Sequence, residues 1–160
     1  MHAEPQKEHQ WLLKLVGEWT SEMEALMGPD KPLEKFVGTE SVRSIGDLWT
    51  QGEGRGEMPD GGTATTIMTL GYDPAKKRYV GSFIGSIMTH MWIYEGEVDA
   101  AGTKLTLDTE GPNLSVEGKM TRYKDVIEFK NDDHRVLSSH MLMDDGSWVG
   151  FMTAHYRRVK

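Results

Sequence analysis

The chain has 160 residues, a formal net charge of -7 and no cysteine. The missing cysteine excludes a disulfide framework and a thiolate metal site, and the acidic balance argues against a nucleic-acid partner, which is bound through clustered Lys and Arg. We expect one domain over residues 1–160 in the cytoplasm, with no membrane segment, because the polar N-terminus carries no signal-like apolar stretch and nothing approaches the ~20 apolar residues that span a bilayer.

The first predicted element is a short amphipathic α-helix over about residues 6–16. Its apolar residues recur at i, i+1, i+4 and i+5 and form one stripe, made of Trp11, Leu12, Leu15 and Val16. Pro5 favours the beginning of this helix and Gly17 its end. We expect the stripe to pack against the rest of the chain.

After Gly17 the apolar residues alternate with period two, which is typical of β-strands. The predicted strands cover residues 18–27, 34–45, 48–58, 63–72, 78–84, 91–98, 103–109, 116–123, 126–130, 135–143 and 148–158. Among the turns between them are Gly28-Pro29-Asp30, Pro59-Asp60-Gly61-Gly62 and Asp144-Asp145-Gly146-Ser147. This spacing predicts about ten strands. No second helix is predicted that could serve as a parallel crossover, which excludes α/β folds.

Two features favour a closed barrel over a two-sheet sandwich. The predicted strands are long compared with the ~5–6 residues of a usual strand. Glycines also lie inside them, at Gly52, Gly54, Gly56, Gly81, Gly85 and Gly96. A small barrel needs glycine where its strands bend sharply or where its interior stays open. The sequence therefore predicts a single all-β, antiparallel up-and-down barrel over residues 17–158, preceded by the short helix.

Several strings resemble known proteins. Gly17-Glu18-Trp19, where helix changes to strand, resembles the GxW signature of lipocalin-like calycin barrels, in which the Trp closes one end of the barrel. Five further strings resemble a bacterial domain family of unknown function with a calycin-like fold; they are Gly52 to Pro59, Thr65 to Pro74, Tyr79 to Gly81, Met88 to His90 and Phe151 to Arg158. The resemblance covers nearly the whole chain after Gln10. It implies the barrel and no particular activity.

The strand over residues 48–58 has two very different faces. One face carries Trp49, Gln51, Glu53, Arg55 and Glu57, and the other carries Thr50, Gly52, Gly54 and Gly56. If the charged face lies outside, the glycines leave empty volume within the barrel. If it lies inside, Glu53 and Arg55 form a polar floor. The simplest alternative is a solvated face with glycines that ease the curvature.

Three histidines lie among apolar residues in the predicted strands or at their ends. By period-two alternation His90 is in phase with Trp92 and Tyr94, and we expect His90, His140 and His155 to point inward as polar anchors. His2, His9 and His134 are expected to be exposed. No HxH or HExxH pattern is present, so we expect no metal site and no cofactor.

Catalysis finds little support in the sequence. There is no cysteine nucleophile and no GxSxG elbow, and the run from Gly52 to Glu57 lacks the Lys-Ser/Thr of a phosphate loop. Asp144 and Asp145 lie in a turn, where Asp stabilises the local backbone. An enzyme that uses a pocket histidine such as His90 or His140 stays as an alternative.

The leading hypothesis is a protein that binds a small hydrophobic or amphipathic ligand in the barrel. The predicted lining consists of Trp49, Met68, Phe83, Met88, His90, Trp92, Tyr94, His140, Met152 and His155. A second hypothesis is a haem-binding barrel that uses His155 in the last strand, although Thr20-Ser21-Glu22 replaces the glycine-rich extension of such proteins. An interaction role without a ligand and a homo-oligomeric state are both compatible with the sequence.

Overall fold

The computed structural model of the chain describes residues 2–26 and 31–159. A short α-helix, α1 (Lys7–Leu12), continues as a 3-10 turn over Leu13–Leu15. Ten strands follow, namely β1 (Gly17–Leu26), β2 (Leu33–Ile45), β3 (Trp49–Glu57), β4 (Thr63–Asp73), β5 (Arg78–Gly85), β6 (Trp92–Val98), β7 (Lys104–Pro112), β8 (Met120–Asn131), β9 (His134–Leu142) and β10 (Trp148–Arg158).

The strands form one closed antiparallel barrel. Each strand pairs with its neighbours along the chain, and β1 also pairs with β10, so that Trp19 lies opposite Arg158 and Ala25 opposite Met152. Closure satisfies the backbone groups that an open sheet would leave along its edges. The predicted up-and-down barrel with a short N-terminal helix is therefore confirmed.

Two elements differ from the sequence predictions, and one predicted turn falls on residues that the structure does not describe. The α-helix ends at Leu12, and the last apolar turn is 3-10. The predicted strands over 116–123 and 126–130 are not separate, because β8 runs without a break from Met120 to Asn131; residues 116–119 precede it, and Asp125 at the expected break pairs in the ladder and accepts hydrogen bonds from Tyr94 of β6 and Ser139 of β9. Met27 and the predicted turn Gly28-Pro29-Asp30 lie outside the described residues.

The helix closes one end of the barrel, which we call the closed end. Leu12 on α1 is 1% exposed. The Trp11 indole Nε1 donates a hydrogen bond to the Gly102 carbonyl oxygen at 2.7 Å, and the Tyr79 hydroxyl donates to the Glu8 carbonyl oxygen at 3.2 Å. The predicted apolar stripe thus seals the barrel and its polar atoms bond to nearby backbone.

The side chains of His9 and Arg158 stabilise the closed end through hydrogen bonds to the backbone. His9 is buried, and its Nδ1 accepts a hydrogen bond from the Gln6 N–H at 2.9 Å while its Nε2 lies 3.1 Å from the Tyr72 carbonyl oxygen. The expectation that His9 is exposed is wrong, because the helix lies against β4. Arg158 joins the last strand to the start of the first, since its Nη1 donates to the Val16 carbonyl oxygen at 2.7 Å.

Trp19 forms the first interior layer above the helix. It is 1% exposed, and its indole Nε1 donates to the Leu15 carbonyl oxygen at 2.9 Å. The guanidinium of Arg158 lies 4.3 Å from the Trp19 ring centre. This is the closing position that the GxW resemblance implies for the tryptophan. The opposite end of the barrel, which we call the mouth, carries the connections that follow β3, β5, β7 and β9.

Candidate functional site

Strand β3 turns its glycine face into the barrel. Gly52, Gly54 and Gly56 pair with the inward residues of β2 and β4, and Thr50 beside them is 2% exposed. The charged face lies in solvent, where the Arg55 guanidinium contacts the Glu53 carboxylate at 2.9 Å. The sequence leaves open which face of β3 lies inside the barrel. In the structure it is the glycine face, and this orientation creates internal volume.

A cavity of about 240 Å³ opens at the mouth of the barrel. Its lining is mainly apolar and includes Met23, Ala25, Phe36, Phe83, Ile87 and Met88. Gly38, Gly54 and Gly56 contribute bare backbone to the wall. A Cβ atom built on Gly56 would meet nothing closer than the Val37 carbonyl oxygen at 3.7 Å, so open space lies in front of this glycine.

Hydroxyl groups supply the polar part of the inward lining. Ser21, Thr66 and Tyr156 line the cavity from strands β1, β4 and β10. Ser21 and Tyr156 are direct partners across the β1–β10 ladder, which places the two side chains side by side. Tyr156 is 9% exposed, and its hydroxyl makes no hydrogen bond to another residue in the described part of the chain.

An ion pair lies in the interior next to Tyr156. The Arg135 guanidinium on β9 bonds to the Glu40 carboxylate on β2, and their side chains are 4% and 13% exposed. The same guanidinium packs over two rings, 4.6 Å from that of Trp19 and 4.0 Å from that of Tyr156. A buried charge is stable only when it is paired and hydrogen-bonded, and here the partner and the two rings hold Arg135 in one position.

A second polar cluster is centred on Asp125 of β8. The hydroxyls of Tyr94 and Ser139 both donate to its carboxylate, the latter at 2.6 Å. Burial raises the pKa of the Asp125 carboxyl above its ordinary value, while the two donated hydrogen bonds oppose that rise. Burial, together with the nearby carboxyl, also raises the pKa of Tyr94. The cluster satisfies a polar group within the barrel wall and does not line the cavity.

The predicted lining residues divide into four groups. Phe83 and Met88 line the cavity. Four more face the barrel interior without lining the cavity, namely Met68, Trp92, Tyr94 and Met152. His90 precedes β6 at the rim, where its Nε2 lies 3.0 Å from the Glu110 carbonyl oxygen and its ring packs edge-on against Trp92.

The remaining three lie on the outer surface, which corrects the expectation that they line the interior. Trp49 belongs to the charged face of β3, is 40% exposed and covers Gly71 on the next strand. His140 alternates with the inward Ser139 and lies 3.0 Å from the Ser138 hydroxyl. His155 stacks on His134 across β9 and β10, with Nδ1 2.9 Å from Nε2 of His134.

The inward polar residues were not predicted from the sequence. Glu40, Arg135, Asp125, Ser139 and Tyr156 were not among the predicted site residues. A usable signal exists for two of them, since Arg135 is in phase with Leu137 and Asp125 with Ile127. A charge in phase with apolar residues in a strand indicates a buried, paired group.

Two features are absent from residues 2–26 and 31–159. No group of three or more His, Cys, Asp or Glu side chains is arranged to hold a metal ion in that part of the chain. In the same ranges, no helix is both long enough and apolar enough to cross a membrane.

Comparisons with known proteins agree with the fold. Residues 4–158 match a family model described as "Protein of unknown function (DUF1579)", and no curated protein matches. The crystal structure of Rv2717c from M. tuberculosis is similar, with 12% identity, a TM-score of 0.64 and coverage of 98% of this chain and 100% of that chain. The S-type phycobiliprotein lyase CPES from Guillardia theta has 15% identity, a TM-score of 0.60 and coverage of 98% and 99%. At these identities the two structures share the fold alone.

Proposed function

The chain belongs to the DUF1579 family of proteins of unknown function, and we propose that it binds a small hydrophobic or amphipathic molecule in the cavity at the mouth. The family membership that the sequence strings predict is confirmed, and it supplies no substrate. The observation that carries the proposal is the cavity of about 240 Å³ behind the glycine face of β3.

The cavity is a feature of the sequence and not a packing defect. Protein interiors are close-packed, and voids larger than a water molecule are few. At Gly56 a side chain would fit without a close contact, yet glycine occupies this position. A barrel that needed only a filled core would place an apolar side chain there. Glycine preserves the volume, which favours a bound molecule.

The remaining wall matches an apolar occupant. Phe36, Phe83, Met23 and Met88 contribute aromatic rings and flexible thioethers. Methionine adapts its shape to an irregular apolar partner, and aromatic rings bury large areas. The histidine-based alternatives have no such support, because His140 and His155 lie outside and His90 lies at the rim. We therefore propose neither haem ligation nor histidine catalysis.

The proposal is tested by filling the cavity. We expect the purified protein to bind 2-naphthol, a small planar amphipathic probe, in equilibrium dialysis, and we expect Gly56→Leu to remove this binding. Gly150→Leu is the matched control, since Gly150 lies on the exposed side of β10 and a Cβ there meets nothing closer than the His140 Nδ1 atom at 3.4 Å. Native mass spectrometry of the purified protein tests the same point with molecules that co-purify. Equal binding to the wild type and Gly56→Leu would overturn the proposal.

A further inference from the structure

The inward polar groups of the cavity carry no charge. They are the hydroxyls of Ser21, Thr66 and Tyr156. The charged residues that border the cavity, Arg55 and Glu57, belong to the outward face of β3, and Arg55 is paired with Glu53 in solvent. A ligand inside the cavity therefore meets hydrogen-bonding groups and apolar surface, and none of the inward residues that the structure describes there offers it a counter-charge.

The buried charges nearby are already neutralised. Arg135 is bonded to Glu40, so a ligand carboxylate that approached the guanidinium would compete with a carboxylate already in place. Burial raises the pKa of the Tyr156 phenol, which keeps it protonated at neutral pH. Moving an ion from water into such a site without a partner costs far more than moving a hydroxyl.

Tyr156 is also held in one orientation. Its ring lies against the Arg135 guanidinium at 4.0 Å, and the guanidinium is fixed in turn by Glu40 and Trp19. Its hydroxyl makes no hydrogen bond within the described residues, and Ser21 is the residue paired with Tyr156 on the adjacent strand. A preorganised group with free hydrogen-bonding capacity binds a ligand without a large ordering cost.

We propose that the cavity selects uncharged molecules and that the hydroxyl of Tyr156, with Ser21 beside it, hydrogen-bonds their polar group. This inference rests on the proposed binding function and adds to it the chemical class of the ligand. Tyr156 fixes the polar end of the molecule, and the apolar body lies among the Met and Phe side chains nearer the mouth.

Three probes that share one ring system test the selection: naphthalene, 2-naphthol and 2-naphthoate, measured by equilibrium dialysis at neutral pH. We expect 2-naphthol to bind most tightly and 2-naphthoate at least about 10-fold more weakly, because its carboxylate is desolvated without a partner. Tyr156→Phe should weaken 2-naphthol roughly 3- to 10-fold, the effect of one lost hydrogen bond, and leave naphthalene unchanged. Tyr79→Phe, which removes a hydroxyl at the closed end, should alter neither affinity.

The outcomes separate the two proposals. If 2-naphthoate binds as tightly as 2-naphthol, or if Tyr156→Phe leaves the affinity for 2-naphthol unchanged while Gly56→Leu removes binding, the cavity binds ligands without the proposed selection. If none of the three probes binds the wild-type protein, the binding function itself fails. Circular dichroism spectra of each variant identify a loss of fold.

Discussion

The two ends of the barrel use apolar residues in opposite ways. At the closed end Leu12, Leu15 and Trp19 are almost fully buried, the Trp11 indole donates to the Gly102 carbonyl oxygen in the turn after β6, and the Trp19 indole donates to the Leu15 carbonyl oxygen. At the mouth the large apolar side chains are exposed, as at Leu33, Ile87, Met91, Leu114, Val116, Met143 and Trp148. The same sheet is therefore packed at one end and open at the other.

Because of this difference, the closed end contributes most of the stability and the mouth is the region proposed for binding. Burial of large side chains supplies most of the favourable free energy of folding, and here it is concentrated below the level of Tyr156. Above that level, glycines and half-exposed Met and Phe side chains contribute less to stability and leave room for a ligand. The Arg135–Glu40 pair lies between the two regions and contacts both through Trp19 and Tyr156.

The largest loss of stability is expected at the Arg135–Glu40 pair, which lies between the two regions. Glu40→Ala leaves the Arg135 guanidinium buried without its carboxylate, and removing one partner of a buried pair costs about 3–5 kcal/mol. We expect the free energy of unfolding in urea to fall by that amount. A change near zero would mean that Arg135 reaches solvent and that the boundary is not rigid.

A double variant sharpens the same test. Glu40→Leu combined with Arg135→Met replaces both charges by apolar groups, which is often neutral or stabilising. We expect it to be more stable than Glu40→Ala. If the double variant is the less stable of the two, the stacking of Arg135 on Trp19 and Tyr156 contributes more to stability than its ion pair with Glu40 does.

The next effect compares the two ends directly. Leu12→Ala removes a side chain that is 1% exposed at the closed end, and such a change costs about 2–5 kcal/mol. Met88→Ala removes one that is 39% exposed at the mouth, and we expect a cost below about 1 kcal/mol. Urea unfolding of both variants measures the difference. Equal losses would show that the mouth is packed as firmly as the closed end.

The fold was predictable because its signals are local and repeated. Period-two alternation, turn residues and the stripe of Trp11, Leu12 and Leu15 each indicate their element without knowledge of the rest of the chain. The volume inside the barrel was partly predictable, since the glycine and charged faces of β3 cannot both lie inside. The sequence of β3 does not say which of its two faces lies inside. The three-dimensional structure is needed for that, because only closure of the barrel assigns one face to the interior.

The histidines show where alternation fails. In β9 both faces carry apolar residues, Val136 and Leu142 outside and Leu137 and Met141 inside, so the phase of His140 is ambiguous from the sequence. In β10 the register shifts between Gly150 and Met152. A bulge adds one residue and reverses the face of everything beyond it. His155 therefore lies outside, although Phe151 packs inside on Tyr123.

The smallest effect on stability is expected at the outward pair of His134 and His155. Burial lowers the pKa of His134, and the charges of Arg157, His155 and Lys130 lower it further. A group whose pKa is lower in the folded protein favours the neutral form there, so its contribution to stability is complete above its ordinary pKa of about 6.5 and is lost as the pH falls through the folded value. The wild-type free energy of unfolding should therefore decrease more between pH 7.5 and pH 5 than that of His134→Gln, measured by urea unfolding at each pH. Parallel curves would mean that the contact between His134 and His155 does not depend on the protonation of His134.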